Sequence, residues 1–292
     1  MSLLNIPIRI SPRRKRHASG IGLTRRMVEP LFLLRSGGWL IAIITTLFLV
    51  VPIVSLSIWP TAQEFVEATN SPILWAALKI SFITSIVSTG LVIFLGGVLA
   101  YILARYEFRG KMVVDTFVDL PMVLPPMVAG LALLMIFGRN GALGAWLSAR
   151  GITITFTISA VVMAQVFVAL PFFVRAARAG FESVDRRLET ASLLLGASKL
   201  RTFFTVTVPL VWPTLLAGAI LAWARCLGEF GATVVFAGNF QGVTQTMPLA
   251  IFGALQDNIG VAIALSIALL IISFVLVLLL KILVKKAHGV GS

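Results

Sequence analysis

Six runs of apolar side chains, each about 20 residues or longer, divide this 292-residue chain at roughly 39–59, 73–104, 112–137, 154–178, 205–235 and 248–284. A helix rising 1.5 Å per residue needs about 20 residues to cross a hydrocarbon core of about 30 Å. With 59% hydrophobic and 12% charged residues and a mean hydropathy of +1.02, the chain holds more apolar surface than a water-soluble core can hide. Inside a bilayer each segment must satisfy its own backbone polar groups, so the runs are read as helices. The expected fold class is therefore an all-α integral membrane protein with six transmembrane helices. The runs 73–104 and 248–284 exceed 30 residues, so they must tilt, kink or project beyond the membrane.

The formal charge of +13 would suggest nucleic acid as a partner of a soluble protein, but the basic residues cluster at the ends of the apolar runs. The expected surroundings are membrane lipid, with no nucleic acid. Lys and Arg stay on the cytoplasmic side. Residues 1–38 carry eight basic residues and one acidic residue, segment 175–201 carries six basic and three acidic, and Arg105, Arg109 and Lys111 surround Glu107. Segment 60–72 has Glu64 and Glu67 with no base. Both termini are thus expected inside, with 1–38 and 285–292 as cytoplasmic tails and 39–72 as the first span and an external loop. Only 138–153, with Arg139 and Arg150, weakly disagrees. No cleavage site follows the first run, so the basic tail is read as retained.

Catalytic machinery is absent from the sequence. There is no G-x-x-x-x-G-K-[ST] phosphate loop, one cysteine, Cys226, lies within an apolar run, and His17 and His288 lie in the tails. No catalytic residue, metal ligand or cofactor is expected, and ATP hydrolysis by this chain alone is excluded. Pro121, Pro125 and Pro126 interrupt the third run, which predicts a bend whose freed carbonyls face protein or a cavity. Arg225 and Glu229 sit i, i+4 within the fifth run and should point into the bundle, either as a self-neutralising packing pair or as a gate. Ser85 and Thr89, among Ser81, Thr84 and Ser88 on the second run, are donors suited to passing a hydrated anion, and equally suited to close helix packing. Lys79 is read as snorkelling.

One polar hairpin separates the fourth and fifth runs. Ser183 is the expected N-cap of a helix of about three turns, with Asp185 and Glu189 early in it and Gly196 as its stop, and Ser198 is placed to cap the next helix. Leu188, Ala191, Ser192 and Leu195 form one stripe, with Arg186, Arg187 and Glu189 elsewhere. Periodicity alone leaves a docking handle and an interfacial helix both open.

The segment Glu189-Thr190-Ala191-Ser192-Leu193-Leu194-Leu195-Gly196, followed by Val206-Thr207-Val208-Pro209, resembles the cytoplasmic signature loop of bacterial ABC importer permeases, with Thr190 and Ser192 where alanine is common. Gly97–Arg105 is similar to the end of the first helix of the permease core, and Leu120–Leu134, Gly138–Gly144 and Ala169-Leu170-Pro171-Phe172 resemble the oxyanion branch of that family. Ala224–Thr233, Ala237-Gly238-Asn239 and Thr244–Ala250 are similar to molybdate permeases, with sulfate/thiosulfate permeases as close relatives. The resemblance implies a type I ABC importer permease fold over 73–284, with a coupling helix at about 183–200 in which Glu189, Ala191, Ser192 and Gly196 engage the motor. It also implies two ATP-binding ABC subunits, an external substrate-binding protein and a second permease copy forming a homodimer in the bacterial inner membrane. The cargo that the resemblance implies is molybdate or tungstate, with sulfate or thiosulfate import as the alternative. An ion-coupled secondary transporter is the alternative class.

Overall fold

The computed structural model describes residues 28–56, 58 and 61–289. Most of the expected basic tail, Arg13–Arg16 included, lies outside the described residues. The chain divides into two units after Ser55. The described part of the first is α1 (Val28–Leu56), apolar from Gly37 onward.

The second unit is built on α3 (Pro72–Arg105), α7 (Ile158–Ser183) and α10 (Val208–Leu227), which pack on one another. Their shared core contains Ala100, Leu103, Ala169, Phe173, Phe181, Val211 and Ala222. Small residues matter here because lipid gives little hydrophobic drive to helix association, so close van der Waals packing must supply it. Arg105 at the end of α3 lies beside Val184 just after α7, so these helices run parallel. Ahead of α3, Ser71 and Pro72 start the helix, and α2 (Ala62–Asn70), absent from the sequence reading, is set by a Thr61/Glu64 capping box.

The proline-rich third run bends as expected. α4 (Lys111–Val123) and α5 (Pro126–Phe137) meet at 117°. Leu124 and Pro125 each precede a proline and take extended ψ values of 134° and 133°, out of the helical region. α4 runs antiparallel to α7, to which two arginines tie it: Arg175 pairs with Asp119 and Arg178 with Asp115. Beyond the bend, α5 packs instead on α11 (Gly231–Phe236) and on the short α6 (Ala142–Ser148) that follows it. There a Cβ at Gly130 would stand 2.6 Å from the Ala232 carbonyl, so only glycine permits the approach.

Two further expected runs are not single helices. The fifth begins with α9 (Lys199–Thr202) and a π-helical turn, Phe203–Thr207, and stops at Leu227 rather than reaching 235. Pro209 explains the turn: its ring crowds the carbonyl one turn back and it has no N–H to offer, and the Val208 N–H bonds Phe203 O across the widened turn. The sixth divides at Asn258 into α12 (Met247–Asp257) and α13 (Ile259–Gly289), which pack against each other. Asn258 is extended, and its Oδ1 accepts from the Gly260 and Val261 N–H groups, capping α13. Four stretches among the described residues are long and apolar enough to span, in α1, α3, α7 and Lys199–Leu227. The bent pair α4–α5 is apolar enough to count as a fifth if it is taken as one broken span, and α13 is apolar over Ile259–Val275.

Candidate functional site

Between α7 and α9 the expected hairpin is present, as α8 (Arg186–Leu194). Its N-cap is Asp185, whose carboxylate accepts from the Arg187 N–H at 2.9 Å, and not Ser183, whose hydroxyl donates to Gly180 O at the end of α7. Val184 between them is extended, so a cap at Ser183 would fall one residue before the chain turns. The stop is as read. Gly196 sits at φ +88°, its N–H donates to Leu193 O, and the Ala197 N–H donates to Ser192 O, the paired bonds of a Schellman motif. Ser198 then caps α9 through the Arg201 N–H. The coupling element expected at about 183–200 is thus two helices joined by a rigid glycine turn.

Glu189 lies off the stripe of Leu188, Ala191 and Leu195 and turns towards the rest of its own chain. Its side chain is 16% exposed and its Oε1 lies 2.7 Å from Arg105 Nη2, on an arginine side chain 7% exposed. The same oxygen accepts a hydrogen bond of 2.7 Å from the Thr207 hydroxyl. Ser192, three residues on, meets the Thr202 hydroxyl at 3.0 Å. Leu188, Ala191 and Leu195 are turned outward instead, together with Leu194 and Leu200; Leu194 and Leu195 are 83% and 89% exposed. The cause is electrostatic. A buried guanidinium at the end of α3 must find a carboxylate, and that pairing outweighs the burial of a few leucines. The outcome is an apolar patch in a strongly basic frame of Arg186, Arg187, Lys199 and Arg201.

The other candidates lie further along α3 and α10. Arg225 Nη1 and Glu229 Oε2 form an ion pair at 2.7 Å, with the Glu229 side chain 1% exposed. Glu229 Oε1 also accepts from the Ala232 N–H at 2.8 Å and so starts α11. Ser85 and Thr89 are buried. Ser85 accepts from Trp223 Nε1 at 3.0 Å, and Thr89 donates to Ser85 O at 2.7 Å. Nearby, Gln165 donates to Thr84 and accepts from Ser88, and Ser81 accepts from the Met247 N–H. Apart from Thr89, whose bond stays within α3, these hydroxyls bind helix to helix. Sequence reading missed Gln165, Arg105 and the α4–α7 arginines, because each partner lies at least 56 positions away in the chain.

Comparison with known proteins places these features in a family. Residues 93–289 match the model of the binding-protein-dependent transport system inner membrane component. The chain is 36% identical to the probable transport system permease protein NifC of Clostridium pasteurianum, across 91% of this chain and 92% of that one. It is 40% identical to the molybdenum transport system permease protein ModB of Mycobacterium bovis, across 82% of this chain and 91% of that one. A crystal structure of a bacterial ABC transporter involved in alginate import shares the fold, with a TM-score of 0.71 at 18% identity, covering 89% of this chain and 98% of that one. A multi-pass helical chain with a clasped polar hairpin at one end, matched on this scale, belongs to the family of binding-protein-dependent inner membrane transport components, and is a transport subunit rather than an enzyme.

Proposed function

We propose that this chain is the permease of an ABC importer that carries a tetrahedral oxyanion, molybdate first, across the bacterial cytoplasmic membrane. The observation that carries the cargo is the 40% identity to a molybdenum permease over most of both chains. In this reading two copies enclose the path as a homodimer, two ATP-binding subunits meet them at α8, and an external binding protein delivers the anion. The permease domain is 73–284, residues 39–72 are the first span and an external loop, and the tails 1–38 and 285–292 are cytoplasmic. α13 serves as the sixth span.

The exposed leucines support α8 as the motor contact. Leu194, Leu195 and Leu200 project beside exposed basic residues and no core of this chain covers them, which suits an interface with another protein. Ala191 sits within that contact, Ser192 and Gly196 fix its shape, and Glu189 anchors it. ATP-driven closure of the motor pair draws the two α8 helices together. The outer ends of the bundle then part, the anion enters, and hydrolysis resets the path. High-affinity recognition rests with the binding protein, since a deep cationic trap would hold a dianion rather than pass it. The Arg225–Glu229 pair is neutral overall, and we assign it to packing. Competition between radiolabelled molybdate and sulfate for uptake by the reconstituted complex tests the cargo. Molybdate should outcompete sulfate, and a sulfate preference refutes the assignment.

A further inference from the structure

The uncharged loop between α11 and α12 brings two primary amides to one bare spot on α12. A Cβ at Gly253 would stand 3.7 Å from Asn239 Nδ2 and 3.9 Å from Gln245 Nε2, so both nitrogens border one gap that the missing side chain leaves open. The loop is tied tightly enough to hold them there. The Val243, Thr244 and Gln245 N–H groups all donate to Phe240 O, at 3.1, 2.9 and 3.0 Å, and the Phe240 N–H donates to the buried Thr244 hydroxyl. Asn239 Nδ2 donates to Leu249 O at 3.3 Å, which uses one of its two N–H groups and aims the amide at α12. The Gln245 side chain bonds no group among the described residues.

Unused amide N–H groups are stable where water or a polar ligand reaches them and costly against lipid tails. Asn239 is exposed and Gln245 half-buried. α12 climbs from the level of Ser81, whose hydroxyl accepts from the Met247 N–H, to the turn at Asn258, beyond which Gly260 lies against the Glu64 carboxylate of α2. The amides thus lie in the half of the bundle that carries α2, the external half in the orientation proposed above. We propose that Asn239 and Gln245 form a transient binding site there for the transported tetrahedral oxyanion, with Gly253 as its floor. The inference rests on the importer reading. Neutral amides replace part of an anion's hydration shell without the charge that would trap it. Asp257, exposed one turn further along α12, repels a dianion and keeps its stay short.

The experiment uses the full permease with its ATPase and binding protein in proteoliposomes, and compares Gln245→Ala and Gln245→Glu with the parent chain. Because the Gln245 amide holds nothing in its own chain, neither change should move the thermal unfolding midpoint. Gln245→Glu should lower molybdate uptake at least about ten-fold, and Gln245→Ala at least about two-fold, while the binding protein still stimulates ATP hydrolysis. Unchanged uptake by Gln245→Glu overturns the proposal. Uptake and stimulation lost together overturn it too, since the residue would then serve docking of the binding protein. If the charged variant fails to assemble, Gly253→Cys decides, in the complex with ATP and an ATPase unable to hydrolyse it. Molybdate should slow labelling of that thiol by N-ethylmaleimide at least about two-fold, chloride at equal ionic strength should not, and adding Gln245→Ala should abolish the protection. The parent chain, whose one cysteine is buried, gives the background. Equal labelling with molybdate and with chloride overturns the site. Wild-type uptake that ignores ATP would instead refute the importer reading itself.

Discussion

Replacing Arg225 by alanine should damage assembly of the permease far more than its choice of anion. Glu229 is 1% exposed, and its Oε2 faces the Arg225 guanidinium at 2.7 Å while Oε1 takes the Ala232 N–H. Removing the guanidinium leaves a carboxylate with one neutral donor in a nearly dry site, a change that costs about 3–5 kcal/mol. Arg225 is 26% exposed, so water can enter the space it leaves, and the lower end, about 3 kcal/mol or a hundredfold in the folding equilibrium, is expected. Glu229→Gln keeps the acceptor for Ala232 and loses only the charge, about 1–2 kcal/mol. The double change Arg225→Met/Glu229→Gln removes the unpaired charge altogether and should be more stable than Arg225→Ala alone. The assay is thermal unfolding of the detergent-solubilised complex, with molybdate and sulfate uptake measured on the surviving fraction. A variant Arg225→Ala that assembles normally but transports with a changed anion ratio refutes the packing assignment and makes the pair part of the path.

Gly196→Val should spare membrane insertion but uncouple uptake from ATP hydrolysis, because a β-branched residue at φ +88° costs about 1–2 kcal/mol although nothing lies within 4 Å of its Cβ. Gly196→Asn should keep coupling, and equal behaviour of the two would remove the turn from the mechanism. Ser85→Ala removes the acceptor of an interhelical bond from Trp223 and should cost about 0.6 kcal/mol in thermal unfolding, and at most about 1.7; Thr89→Val, whose hydroxyl bonds Ser85 O within α3, should cost less, and for both an unchanged molybdate-to-sulfate ratio is expected, a shifted ratio putting them on the path. Gly130→Ala drives a methyl against the Ala232 carbonyl, 2.6 Å away, and should lower stability by about 1–3 kcal/mol in the same unfolding assay. Full stability there would mean that α5 and α11 can separate freely.

What the sequence disclosed depended on how local the cause was. The bend after α4 follows from Leu124-Pro125-Pro126, and the stop of α8 from one glycine, so both could be read from a few adjacent residues. The break at Asn258 was missed because a single polar residue between apolar stretches does not interrupt hydropathy, yet its side chain caps a helix. The leucine stripe of α8 was legible from its spacing, but the face that turns to its own chain was not, because Arg105, 84 positions before Glu189, selects it. The hydroxyl row of α3 was legible as a polar stripe, whereas its partners Gln165, Trp223 and Met247 come from three other elements and could be known only from the fold.

The central claim is that an external motor drives transport through α8. The direct measurement is molybdate uptake by proteoliposomes holding this chain with its ATPase and binding-protein partners, comparing an intact ATPase with one unable to hydrolyse ATP. Uptake should require ATP, the binding protein and a working ATPase together. Uptake that persists at the same rate with the inactive ATPase, and collapses instead when an ion gradient is dissipated, would contradict the account.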